Sequence, residues 1–455
     1  MLQLYNDLTQ QREPFIPRER TVSLYVCGIT PYDTTHLGHA FTYCSFDVLV
    51  RYLEWLGLTV RYVQNVTDID DDILRKAREV GEDWLALGNR WVRHFINDME
   101  ALNVRPPTFY PRASDVIPQM VRTIELLVSR GYAYVRAGSV YYRAQAAPFG
   151  LLSRLSQEEW LHTAAQRGGN PQDVNKEHPL DFVLWQAQAA GEPAWPSPWG
   201  PGRPGWHIEC STISAIFLGP TVDIHGGGAD LAFPHHECEI AQSEAATGER
   251  PFVRYWLHTG MVYYQGEKMS KSLGNIIMMH DLLSRFNPDA LRLYLASHHY
   301  REPWAYDLPA LEHSAIMAQR WRAAAYEREA QPGAGPTPVR GAFASACRLP
   351  SLEGDVACTG ALSQATNQAA HAFAGAMASD LNAPAAIRVL DDLANAILAS
   401  GGQQVQLAPA QALLRRLAGL LGLRLDRVGP EPRVIAGWQE HKARFPAPEL
   451  AAPAS

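Results

Sequence analysis

The stretch from Thr21 to Val66 restricts the fold more than any other part of the chain. From Thr21 to Cys27, apolar Val22, Leu24 and Val26 alternate with Ser23 and Tyr25, and the pattern breaks at Gly28 and Pro31. A strand running into a loop reads this way. From about His39 to Leu56, Phe46, Leu49, Val50, Leu53 and Leu56 recur at helical spacing and stop at Gly57. A second apolar run, Leu58 to Val66, follows at once. Strand, loop, helix and strand in that order predict a βαβ unit with parallel strands. His36 and His39 then fall at the carboxyl end of the first strand, where open α/β sheets bind ligands.

The segment His36-Leu37-Gly38-His39 has a distant counterpart, Lys268-Met269-Ser270-Lys271-Ser272. In this order the two segments resemble the ATP-handling motifs of class I aminoacyl-tRNA synthetases, which implies adenylate formation, a reaction that moves charge onto the phosphates of ATP where donors already in place must meet it. Two imidazoles at a helix N-terminus suit the α-phosphate, because ring and free backbone N–H groups converge there. Lysines on a Gly- and Ser-containing loop suit the departing pyrophosphate. His36, His39, Lys268 and Lys271 are therefore the expected catalytic groups.

Cys27, Cys210, His235 and Glu239 stand out as donors for one zinc ion, which takes thiolate, imidazole and carboxylate ligands. His235 and Glu239 are four residues apart and share a face if Pro234 begins a helix. Cys27 ends the first strand, Cys210 follows Trp206-His207-Ile208-Glu209, and His235 follows the Gly226-Gly227-Gly228 turn, so all four gather at one end of one sheet. Zinc beside an ATP site suits selection of a thiol-bearing amino acid, whose sulfur binds the metal where a hydroxyl or methyl does not. Cys44, Cys238, Cys347 and Cys358 are expected to pack or lie at the surface, and His236 to point away from its neighbour. Scattered cysteines in a chain of 455 residues make no disulfide framework.

That length implies two or three domains. Residues 1–95 and 200–305 are expected to form a Rossmann-type catalytic domain with a parallel sheet. Residues 96–199 read as an insertion of helices and loops, closing in a Trp-, Pro- and Gly-rich segment from Trp195 to Trp206 too rich in turns for regular structure. An Ala-, Leu- and Gln-rich helical bundle is expected over 306–425, broken by a flexible stretch at Gln331 to Pro338, with a partly disordered tail over 426–455. Asp380-Leu-Asn-Ala-Pro384 should cap a helix that buries Ile387, Leu390, Leu393 and Ile397. The net charge of −7 excludes a generally basic surface but not a local basic channel. No apolar run is long enough to span a membrane, and the N-terminus lacks a basic-then-apolar leader, so a cytoplasmic enzyme is expected.

Taken together, seven segments resemble the cysteinyl-tRNA synthetase family. They are Tyr25 to Gly28, His36 to His39, Tyr62 to Asp71, Gly202 to Cys210, Asp223 to Asp230, Phe233 to Gln242 and Gly266 to Asn275. The resemblance implies zinc on Cys27, Cys210, His235 and Glu239, with Cys27, Gly28, Thr67, Trp206 and His207 at the cysteine site. It implies that Gly227, Gly228 and Asp230 hold adenosine while His36, His39 and Lys271 attend the phosphates, with Mg2+ accompanying ATP. The partners are then L-cysteine, ATP and tRNA, and a monomer is expected. Gly28 to Asp33, Phe41 and Arg167 to Pro171 look more like a sister family, the mycothiol-pathway ligase that joins cysteine to glucosaminyl-inositol; Glu239 and Lys271 to Asn275 look like the synthetase. The acceptor is thus tRNA or the amine of such an amino sugar. Residues 401–455 carry seven basic and four acidic residues and a single tryptophan, Trp438, which is little for reading RNA.

Overall fold

The central sheet is buried on both faces, and alternate side chains of its strands enter two different cores. The computed structural model describes residues 1–33, 35–269, 274–327, 361–400, 406–425 and 434–446, with the backbone alone at Lys268. The βαβ unit consists of β1 (Thr21–Ile29), α1 (Leu37–Trp55) and β2 (Thr59–Val66). Val22, Leu24 and Val26 of β1 join a core shared with α1 and the C-terminal helices. Tyr25 and Cys27 face the opposite core, shared with the insertion.

After the insertion come α2 (Trp206–Leu218), β3 (Val222–Gly228), α3 (Glu237–Thr247) and β4 (Val253–Thr259). The four strands are parallel, in the order β4-β3-β1-β2. The connection from β1 runs to one side and β3 returns on the other, so the winding reverses between β1 and β3. Ligands bind at the carboxyl ends of such a pair.

Two details depart from the sequence pattern near that crevice. Helix α1 begins at Leu37 rather than near His39, because His36 caps it, its Nδ1 accepting from the His39 backbone N–H at 3.3 Å. Strand β1 runs past Cys27 through a register shift. Gly28 makes this possible: a Cβ there would lie 1.5 Å from the Asn65 carbonyl oxygen.

The insertion contains helices Ile117–Ser129 and Gln157–Gln166, but also an antiparallel sheet of Ala133–Arg136, Ser139–Tyr142, Phe182–Ala187 and Gly202–Pro204, which the helix-and-loop expectation left out. The last of these strands lies inside the Trp- and Pro-rich segment. It is an edge strand, where proline costs no ladder bond.

Helices Leu308–Tyr326, Ala361–Ala378, Ala383–Ala399 and Ala408–Leu420 form the C-terminal bundle. Asn382 caps the third, accepting from Ala385 N–H, and Ile387, Leu390, Leu393 and Ile397 are buried as their spacing predicts. The stretch Gln331 to Pro338, Cys347 and Cys358 lie outside the described residues. A further helix, Ala436–Ala443, packs back on helix Trp84–Ala101, with Trp438 buried. No described helix is long and apolar enough to cross a membrane.

Candidate active site

The carboxyl ends of β1 and β3 and the first turns of α1, α2 and α3 meet in one place. Cys27 and Gly28 come from β1, Gly227 and Gly228 from β3, and Asp230 from the turn that follows. At the start of α1 the His36 and His39 rings stack with centroids 3.7 Å apart. Lys268 contributes backbone to a short strand, and its side chain and the whole of Lys271 lie outside the described residues.

The four donors expected to bind metal are all buried and converge, with their ligand atoms within 4.8 Å of one another. Cys27 Sγ lies 3.9 Å from Cys210 Sγ and 3.7 Å from Glu239 Oε1, and Glu239 Oε1 lies 3.0 Å from His235 Nε2. Local sequence explains the approach. Cys210 stands in the second turn of α2, and His235 and Glu239, four residues apart, meet where helical backbone resumes after an extended Phe233 and runs into α3.

Electrostatics inside the cluster follow from burial and mutual contact. Burial opposes charge on His235, but Cys210 and Glu239 outweigh it and push the imidazole up to about 10. Burial would raise Glu239, yet His225 and His235 hold it at about 2. Cys27 is raised, first by burial and then by its bond with Cys210, whereas Cys210 is lowered to about 6 because Cys27 and His235 outweigh burial. A buried set of thiols, imidazole and ionised carboxylate fits a soft to borderline divalent cation.

The residues expected around a cysteine substrate border this cluster. Thr67 directly follows β2 and donates to Glu209 Oε2 at 2.9 Å. Trp206 stacks on His235 with centroids 4.4 Å apart, and His207 Nδ1 lies 2.9 Å from His235 Nδ1. Burial and then His235 hold His207 well below the usual histidine value, so it is neutral.

Comparison with known proteins decides the family. The description "tRNA synthetases class I (C) catalytic domain" matches residues 15–315, and "DALR domain" matches residues 372–426. A "Cysteine--tRNA ligase" of Dehalococcoides mccartyi is 43% identical over 93% of this chain and 86% of its own length. Another from Alkalilimnicola ehrlichii is 45% identical over 94% and 86%. The chain belongs to the cysteine--tRNA ligase family of class I aminoacyl-tRNA synthetases.

Solved synthetases share the fold. Mycobacterium tuberculosis methionyl-tRNA synthetase with methionyl-adenylate superposes with a TM-score of 0.57 at 16% identity, covering 88% of this chain and 89% of that one. The LeuRS-tRNA-LeuAMS complex of Agrobacterium radiobacter K84 gives 0.60 at 12% identity, covering 90% and 85%. This ligase is therefore a mixed α/β enzyme with a parallel sheet and C-terminal helices matching a DALR domain.

Two histidines belong to the cluster that the sequence pattern did not assign to it. His236, expected to point away from its neighbour, lies 3.3 Å from Cys27 Sγ, with its ring centroid 5.6 Å from that of His235. His225 Nε2 lies 3.0 Å from Glu239 Oε2, and Cys27, His225, His236 and Glu239 form a second possible donor set. The readable signal for His225 is register: it pairs with Tyr25 on the adjacent strand, two residues before Cys27, and so shares its face. Cys44 and Cys238 are buried, as expected of packing cysteines.

Proposed function

We propose that this ligase activates L-cysteine with ATP and transfers it to tRNA. The cysteine carboxylate attacks the α-phosphate, giving cysteinyl-adenylate and pyrophosphate. The terminal ribose hydroxyl of tRNA then attacks the acyl carbon, the bond to phosphate breaks, and AMP leaves. One observation carries the specificity for cysteine: the buried thiol, imidazole and carboxylate cluster at the crevice where β1 and β3 diverge.

Of the two donor sets, we assign zinc to Cys27, Cys210, His235 and Glu239, which brings two thiols. His225 then stands behind Glu239 and orients its carboxylate, and a neutral His236 stands beside Cys27. When bound, the ion supplies a Lewis-acidic partner for the substrate sulfur that serine's hydroxyl does not match. Gly28 leaves room at the strand end, and Thr67, Trp206 and His207 surround the substrate. Gly227, Gly228 and Asp230 hold the adenosine. His36 and His39 meet the α-phosphate at the α1 N-terminus, and Lys268 and Lys271 meet the pyrophosphate, with Mg2+ accompanying ATP. A cytoplasmic monomer is the simplest form in which to test this.

The second reading, transfer to the amine of an amino sugar such as glucosaminyl-inositol, rests on Gly28 to Asp33, Phe41 and Arg167 to Pro171. The relatives' shared name and the matched DALR region support tRNA. Cysteine-dependent exchange of pyrophosphate into ATP tests the first step. Exchange stimulated by cysteine and not serine supports it, and no exchange with cysteine rejects it.

A further inference from the structure

The segment from Asp230 to Glu239 joins the adenosine side of the crevice to the metal cluster, and the insertion grips it at three points. Trp160 stacks on Phe233 with centroids 6.3 Å apart, and Phe149 meets Phe233 edge-on at 6.0 Å. Glu237 accepts backbone N–H groups of Gly150 at 3.0 Å, Leu152 at 2.5 Å and Ser153 at 2.7 Å. The third grip is polar. Arg167, at the end of helix Gln157–Gln166, donates through Nη2 to Asp230 Oδ2 at 3.3 Å.

Asp230 lies against the end of β3 and is held there by Arg167. A Cβ on Gly228 would lie 2.7 Å from its Oδ1, so the carboxylate folds back over the end of β3. Its other oxygen is tied to Arg167, and each side chain of this pair is 30% exposed. The base of Arg167 is not a loose surface stem: Ser156 and Glu159 form a reciprocal cap on its helix, and Arg167 N–H closes the helix end on Thr163 and Ala164. Lys176 Nζ ties the following loop back to the Gly169 carbonyl.

We propose that Arg167 is a positioning residue: it holds the Asp230 carboxylate in the orientation that accepts the ribose hydroxyls of the nucleotide, and so makes the insertion part of the ATP site. This rests on the adenosine role given to Asp230 above. A carboxylate fixed in advance binds two hydroxyls without losing rotamer freedom on binding. Arg167 is not among the residues given to the phosphates or the acyl group, so its effect should fall on ATP affinity and not on the chemical step.

Pyrophosphate exchange with Arg167→Ala, Arg167→Lys, Asp230→Asn and the Arg167→Ala/Asp230→Asn pair tests this, with bound zinc measured in each purified protein. Arg167→Ala should raise KM for ATP about tenfold while kcat and KM for cysteine change less than about twofold. Arg167→Lys should recover part of the loss, and the pair should be no worse than Asp230→Asn alone. An unchanged KM for ATP, full additivity of the pair, or a parallel loss of zinc and cysteine affinity overturns the proposal. Absence of exchange in the unaltered enzyme instead removes the adenylation reading beneath it.

Discussion

Cys210 tests the metal assignment with one atom. It belongs only to the donor set that also contains Cys27, His235 and Glu239, and not to the set with His225 and His236. Cys210→Ala should remove bound zinc and lower kcat/KM for cysteine activation by more than about 100-fold. Metal analysis beside pyrophosphate exchange checks this, and zinc retained at full stoichiometry would move the ion to the histidine-rich set. The four donors were legible because their chemical types are few and each follows a recognisable strand end or turn. His236 was not, because in a regular helix it would point about 100° away from His235. Cys27, reaching in from β1, meets the ring in that second direction. His225 stayed hidden because its partner in register, Tyr25, lies some two hundred residues earlier, a pairing invisible to any local pattern.

Helix α1 carries the central βαβ unit into the rest of the enzyme through a buried carboxylate. Asp47 Oδ2 accepts from Arg51 Nε at 2.8 Å and Arg292 Nη2 at 2.6 Å, and Oδ1 accepts from Arg105 N–H at 2.9 Å. Arg292 also donates to the carbonyls of Leu421 and Leu102, so one network joins α1, helix Pro288–Ala296 and the bundle. Asp47→Asn leaves Arg292 buried without its counter-charge and should cost about 3–5 kcal/mol, read from the denaturant midpoint. Burial would raise Asp47, but Arg51 and Arg292 outweigh it and hold it below its ordinary value of 3.8. A depressed folded-state value stabilises above the ordinary one, so the difference between native and variant should be full at neutral pH and shrink below about pH 4. At this scale β1, α1 and β2 were readable within two residues, because each is long enough to show its period. The strands of the insertion were not: Ala133–Arg136 and Ser139–Tyr142 have four residues each, too few for alternation to separate them from a loop.

Across the whole molecule, residues 434–446 are bound to the catalytic domain and the start of its insertion. Trp438 was the one tryptophan on hand there for stacking on RNA bases, but it is buried, donating to the Val104 carbonyl at 2.8 Å and packing against Phe95 and Tyr110. Arg444 donates to the Tyr110 carbonyl and pairs with Asp115 at 2.6 Å, and Arg112 lies over Phe445. The 109–113 segment they hold bridges the edge of β2 at Val63 and Val66, next to Thr67. Trp438→Ala should therefore destabilise the catalytic domain by about 3–5 kcal/mol and lower its unfolding midpoint. An unchanged midpoint would mean that the segment is an independent appendage. This contact joins positions more than three hundred residues apart, so composition alone could not reveal it. The acceptor of cysteine separates the two readings of this enzyme. The most direct measurement supplies the enzyme with ATP and labelled cysteine and offers tRNA and glucosaminyl-inositol in parallel. The predicted result is label esterified to tRNA and none on the sugar; label on the sugar amine with none on tRNA would contradict it.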